Sequence, residues 1–291
     1  MNGLALAMVV LSAVAHATWN YLLKGALRPE VFTWWLLAAI SVLLLPLGAV
    51  LAWQTSVESP GWWYVLGTVG LHALYFLFLG RGYTHGDLSL VYPVARGMGP
   101  MAVPVMGVVL LGETVSALAA GGITAVVVGI YTVYWWGSIR AILSDPLRFL
   151  KDPGARYALL TGAVIAVYSV WDKVGVRYVD PLLYMYLMSL GTALTLTPYM
   201  ARVHGLDKLA GEFRAGPLRI AAAGLLTFLA YGLVLSALEF SRVSYISPAR
   251  EVGIVFAVVL GATMLKEPLA WGRLLGSGSI VAGVILIAVA P

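Results

Sequence analysis

Apolar runs long enough to cross a bilayer recur ten times along the chain, at about 3–24, 31–53, 62–83, 88–111, 116–136, 157–176, 182–201, 218–239, 244–265 and 270–289. A hydrocarbon core of about 30 Å takes about 20 helical residues to span. Runs such as 103–111 and 280–289 are apolar on every side. Barrel strands alternate lipid-facing with polar lumen-facing residues, so helices are expected. The longest connections, 137–156 and 202–217, are polar and carry Pro or Gly. The pattern predicts an all-α polytopic membrane protein with ten transmembrane helices.

Composition agrees. Of 291 residues, 61% are hydrophobic and 11% charged, against roughly 25% charged in a soluble domain. That excludes a soluble enzyme, a disordered chain and a secreted disulfide scaffold. There is no Cys, hence no thiolate metal site or thiol nucleophile. The net charge is +5, but its basic residues are scattered between apolar runs, so no nucleic-acid partner is expected. Ala13 and Ala15 imitate a signal-peptide cleavage site, yet no Lys or Arg precedes the apolar run.

The chain also repeats. A shift of 154 residues lays Ala95-Arg96 on Ala249-Arg250, Gly107 on Gly261, Glu113 on Glu267, Gly122 on Gly276 and Gly129 on Gly283. A shift of 152 pairs Trp19 with Trp171 and Pro46 with Pro198, and a shift of 155 pairs Pro93 with Pro248. Residues 1–137 are thus expected to form a first five-helix repeat, 138–155 a connecting loop and 156–291 a second repeat. An odd number of spans per repeat inverts the second copy, which is a transporter architecture. The first span belongs to this repeat, so it is read as part of the fold.

Span 1 reads His16-Ala17-Thr18-Trp19-Asn20, and spans 4 and 9 end in Leu110-Leu111-Gly112-Glu113 and Met264-Leu265-Lys266-Glu267. Each of these endings leads into a Gly-rich span. As a set, these features resemble the EamA type of the drug/metabolite transporter superfamily. The resemblance covers the whole chain. It implies ten helices in two inverted five-helix repeats and carriage of small solutes such as amino acids, sugars, nucleotide sugars or phosphorylated metabolites. It names no single substrate.

Ionisable residues inside the membrane are functional candidates because burying them is costly. Arg96 and Arg250 occupy equivalent depths in spans 4 and 9. They form either an anion clamp on substrate or a structural pairing, Arg250 with a neighbouring Glu and Arg96 with helix-end carbonyls. Pro93 and Pro248 precede them and either kink the helices beside a site or sit harmlessly in a first turn. His16, Trp19 and Asn20 share one stripe of span 1, and Tyr168, Trp171 and Asp172 share the equivalent stripe of span 6. These stripes are read as cavity walls, with an interfacial aromatic belt as the alternative. His72, Tyr75, Tyr92 and Tyr231 complete the substrate-binding candidates. Asp172 and Glu251 are the candidate proton-coupling groups. Lys173 is expected to pair with Asp172 or a carbonyl. Gly122, Gly129, Gly276 and Gly283 suit close helix packing within one chain or a dimer seam. No G-x-x-x-x-G-K-[ST], H-E-x-x-H or G-x-S-x-G occurs, so neither an ATP motor nor an enzyme is expected, and no metal or cofactor.

The expected function is secondary transport of small metabolites, first as an exporter of amino acids or related solutes, with alternating access around a midplane cavity. Uptake or exchange of an anion (a phosphonate, sugar phosphate or organic acid) held by Arg96 and Arg250 is the alternative. A non-transporting membrane subunit or sensor is the third reading. The expected location is the inner membrane, as a monomer or homodimer. Thirteen of the eighteen Lys and Arg lie in the loops on one side of this topology, and only Lys173, Arg177 and Arg242 lie on the other. The positive-inside rule then places both termini outside. A reporter active only in the cytoplasm, fused after Pro291, is expected to be silent; an active fusion reverses the orientation.

Overall fold

The computed structural model describes residues 1–85, 88–137, 151–264, 266 and 270–291; the side chains of 83, 88–90, 92 and 93 are outside that description. The predicted loop 138–155 therefore lies mostly outside the described residues.

The first half holds α1 (Gly3–Leu23), α2 (Pro29–Leu43), α3 (Leu45–Gln54), α4 (Ser59–His85), α5 (Leu88–Leu111) and α6 (Ala117–Trp135). The second holds α7 (Pro153–Gly175), α8 (Pro181–His204), α9 (Leu206–Ala215), α10 (Pro217–Phe240), α11 (Val243–Ala249), α12 (Val252–Met264) and α13 (Trp271–Val289). Their starts follow from local chemistry. Asn2, Ser116, Asp152 and Asp180 each accept a backbone N–H as N-caps of α1, α6, α7 and α8. Proline occupies the first helical positions of α2, α7, α8 and α10, where no ladder bond is lost.

Among the described residues, eight helices are long and apolar enough to cross a membrane, counting α11 and α12 together, and a bent pair makes up to nine. That pair is α2 and α3. The predicted span 31–53 is broken at Leu44, and the two pieces meet at 57°. Pro46 in the first turn of α3 removes a backbone donor there. The predicted span 182–201 is α8, 24 residues long but less apolar than the others. It buries Tyr184, Ser189 and Thr192 inside the bundle, which explains its polarity. The connection 202–217 is not a loop but contains α9. Its flanking Gly205 (φ 77°) and Gly216 cap the short helix. Glu212 of α9 is fully buried and accepts the N–H groups of Leu27 and Arg28, at 3.1 and 2.8 Å.

Each half buries its helices chiefly against the other half. α1 lies on α10 and α12, and α7 lies on α4 and α5. α2 packs on α8, α5 on α11, and α6 along α13. Exchanging each helix for its counterpart in the other half maps this pattern onto itself. The closest seam is between α6 and α13. A Cβ added at Gly276 would lie 2.6 Å from the Gly129 carbonyl oxygen, and one at Gly122 would lie 2.6 Å from that of Gly283. Only glycine lets the two backbones approach so closely. Outside this core, Leu66, Val109, Leu218 and Ile285 are exposed and suit lipid.

The two chain ends meet at one end of the bundle. The Met1 amine donates to the carbonyls of Ala288 and Ala290. They share a cavity of about 450 Å³ with Lys173, Arg177 and Arg242. Gly276→Leu is expected to prevent the α6–α13 approach, lowering folded yield and melting temperature by an overpacking cost of about 3 kcal/mol. Gly278→Leu, where an added Cβ meets nothing within 4 Å, should be tolerated. Thermal unfolding of both purified variants checks this.

Candidate functional site

The site forms where the second-half counterpart of α5 is interrupted. Pro248 lies inside α11, not in its first turn, so the harmless-position reading is corrected. Lacking an N–H, it leaves the carbonyl one turn back without its ladder partner. The next turn tightens. Glu251, Gly253 and Ile254 donate to residues three back, Pro248, Arg250 and Glu251, at 3.1, 3.1 and 2.9 Å. α11 therefore ends at Ala249 and α12 begins at Val252, leaving Arg250 and Glu251 at the break.

These two neighbours go different ways. Glu251 pairs with Arg96 of α5, Nη2 to Oε2, at 3.1 Å. Both side chains are largely buried, 7% and 12% exposed. Arg250 turns instead to α10, its guanidinium carbon 5.2 Å from the centroid of the Tyr231 ring. That geometry is a cation–π contact, worth about 0.5–2 kcal/mol depending on desolvation. The expected structural pairing is thus corrected: the neighbouring Glu is taken by Arg96. Among the described residues no carboxylate pairs with Arg250.

Around Tyr231 stands an aromatic group. His72 lies against Tyr168 at 4.4 Å and Tyr231 at 5.7 Å, and Tyr75 lies against Tyr168 at 6.1 Å. Tyr168 and Tyr231 meet edge to face at 6.1 Å. Such pairs contribute about 0.5–1.5 kcal/mol beyond their area and favour fixed ring positions. The His72 Nδ1 sits 3.0 Å from both the hydroxyl and the carbonyl of Thr68. His16 is on α1, which packs on α11 and α12 beside Arg250 and Glu251.

Asp172 anchors the other side and is fully buried. Tyr231 donates its hydroxyl to Oδ2 at 2.6 Å and Tyr184 donates to Oδ1 at 2.8 Å. Lys173 points elsewhere, donating to the carbonyls of Leu238 and Ser241, as one of the two sequence expectations had it. Of the aromatic stripes, the rest turns aside. Trp19 donates to the His16 ring at 3.2 Å, and Asn20 donates to the His16 carbonyl within its own helix. Trp171 donates to the Tyr64 carbonyl at 2.9 Å and lies tilted against the Tyr64 ring. The side chains of Tyr92 and Pro93, and Glu267, lie outside the described residues.

Arg96, Arg250, His16, His72, Tyr75, Tyr168, Asp172, Tyr231 and Glu251 are therefore brought together. Sequence reasoning missed Tyr184 and Thr68. Tyr184 heads the least apolar span, and that polarity is the signal that points to it. Glu113 was placed at a helix–helix turn but its target was not. It accepts the N–H groups of Val243 and Ser244 at 2.8 and 3.0 Å and the Ser244 hydroxyl at 2.5 Å, which fixes the start of α11. Among the described residues no group of three His, Asp or Glu is placed to hold a metal ion.

Residues 152–289 match the model of the EamA-like transporter family. No curated protein matches the chain. A solved crystal structure of another protein is similar with a TM-score of 0.71 at 15% identity, covering 97% of this chain and 98% of that one. At that identity the likeness shows the fold alone.

Glu113 positions Arg250 through α11. Glu113→Ala is expected to cost about 2 kcal/mol of stability, since bonds to a charged acceptor are the stronger kind. Glu113→Gln, which keeps an acceptor oxygen, should recover part of the loss. Thermal unfolding of the two variants against the wild type measures both.

Proposed function

We propose that this chain, whose residues 152–289 match the EamA-like transporter family, is a secondary carrier of small solutes that bear a carboxylate, with amino acids and their relatives as the first class. The observation that carries this reading is Arg250. It is a permanent cation placed inside the bundle with no carboxylate partner among the described residues, beside Tyr231, Tyr168 and His72. A guanidinium holds a carboxylate or phosphate with two parallel hydrogen bonds. The tyrosine and histidine rings offer apolar faces to the rest of a small solute. His16 stands on α1, which packs on α11 and α12.

Export of amino acids and carriage of an organic acid, phosphonate or sugar phosphate use the same cation. The carboxylate class is preferred because Arg250 supplies one fork, and one fork with its single charge matches one carboxylate. Arg96 has been drawn off by Glu251. In this reading residues 1–137 and 156–291 are two inverted five-span repeats, and transport rocks one against the other around Arg250. The exchange symmetry of the helix packing supports that arrangement. The protein lies in the inner membrane with both termini outside, as a monomer or a homodimer, with solute and lipid as its partners.

A thermal-stability screen of purified protein tests the reading, with L-amino acids, dicarboxylates, sugar phosphates and phosphonates as probes. A ligand at a hundred times its Kd stabilises the folded state by about 2.7 kcal/mol. A carboxylate-bearing hit is expected, lost in Arg250→Gln and kept in Lys24→Ala. A hit that persists in full in Arg250→Gln would overturn the assignment.

A further inference from the structure

The two arginines and two carboxylates described at the bundle centre divide into a closed pair and an open one. Arg96 and Glu251 neutralise each other at 3.1 Å. Arg250 and Asp172 do not touch; Tyr231 stands between them, its ring under the guanidinium and its hydroxyl on the carboxylate. We propose that Asp172 is a proton-binding site, linked through Tyr231 to Arg250, so that the carrier takes up one proton together with one carboxylate-bearing solute. This rests on the reading of Arg250 as the carboxylate anchor.

Hydrogen-bond bookkeeping around Asp172 supports it. With the carboxylate ionised, both oxygens accept from tyrosines. Adding a proton at Oδ1 makes that oxygen a donor, so Tyr184 must then accept there. Its own hydroxyl proton has another acceptor within reach, the Tyr64 carbonyl at 3.1 Å. Tyr184 thus turns its proton to Tyr64 and receives that of Asp172, while Tyr231 goes on donating to Oδ2. Both protonation states are satisfied without moving a helix. A buried carboxylate serving only as structure needs no such second acceptor.

The charge balance sets the sense of coupling. While Asp172 is ionised, its charge and that of Arg250 offset each other across the Tyr231 ring. Once Asp172 is neutral, and with Glu251 paired to Arg96, the Arg250 cation faces no other unpaired carboxylate among the described residues, and an incoming carboxylate supplies one. Proton and carboxylate therefore bind together, and net flux follows the sum of their two gradients. The other groups facing Asp172 are accounted for. On α4, His72 bonds Thr68 and Tyr64 offers its carbonyl. On α5 and at the break before α12, Arg96 and Glu251 hold each other. On its own helix, Tyr168 packs on His72, and Lys173 is bound to carbonyls.

Infrared difference spectroscopy of the full chain in lipid vesicles, between alkaline and acidic buffer, tests this with the proton as the only probe. The wild type is expected to gain a protonated-carboxyl band that is absent in Asp172→Asn and present in Glu251→Gln and His72→Gln. Tyr231→Phe should move the band to higher wavenumber, because the carbonyl oxygen loses its donor; this arm carries the test if Asp172→Asn does not fold. No band in the wild type, a band lost in Glu251→Gln, or a band unmoved in Tyr231→Phe overturns the proposal. No solute is present, so this outcome is separate from that of the Arg250 ligand screen. A band with no carboxylate hit leaves the proton site standing and removes the anchor. A hit with no band does the reverse.

Discussion

The ion pair between Arg96 and Glu251 organises the centre of this protein. Two charges inside a bilayer-spanning bundle are tolerated when each has a partner, and breaking such a pair costs about 3–5 kcal/mol. The pair joins α5 of the first half to the start of α12 in the second. It also decides the fate of the next residue. Because the chain breaks between Ala249 and Val252, Glu251 can face Arg96 while Arg250 faces Tyr231. Without the break, one would expect two equivalent arginines and a symmetric clamp. With it, Arg96 is paired with Glu251 and Arg250 lies over the Tyr231 ring.

That asymmetry sits within a near-symmetric frame. Helices of each half complete their packing on the other, and the glycine seam of α6 and α13 fixes one edge of the bundle. Neither half buries its own polar face alone. Glu113, at the end of α5, reaches over to cap α11, so the frame sets the angle from which Arg250 enters. The centre of the bundle is therefore held by contacts between residues more than a hundred positions apart.

Much of the fold was legible in the sequence because the bilayer imposes length and apolarity on each span directly. The starts of α1 and α8 fall within a residue of the expected 3 and 182, whereas α7 begins at Pro153, four residues before the expected 157 and inside the expected loop, because Asp152 caps it there. The 57° break at Leu44 was not, since an apolar run reads the same straight or bent. Helix α9 was hidden because its residues are polar and its flanking glycines read as loop. At the site, residue types were legible: Arg96, Arg250, Asp172 and Tyr231 were all singled out. Their pairing was not, because adjacent residues such as Arg250 and Glu251 take directions that only the local turn decides. Trp19, Asn20 and Trp171 share the right stripes but spend their donors on neighbouring backbone or ring acceptors. Tyr184 escaped notice because its role depends on Asp172, a helix away.

The central claim is that Glu251 pairs with Arg96, so that among the described residues no carboxylate pairs with Arg250. Double-mutant cycles on thermal unfolding, with Arg96→Gln and Glu251→Gln in one cycle and Arg250→Gln and Glu251→Gln in the other, measure it most directly. The account predicts a coupling of about 1–3 kcal/mol in the first cycle and near zero in the second. Coupling between Arg250 and Glu251, with none between Arg96 and Glu251, would contradict it.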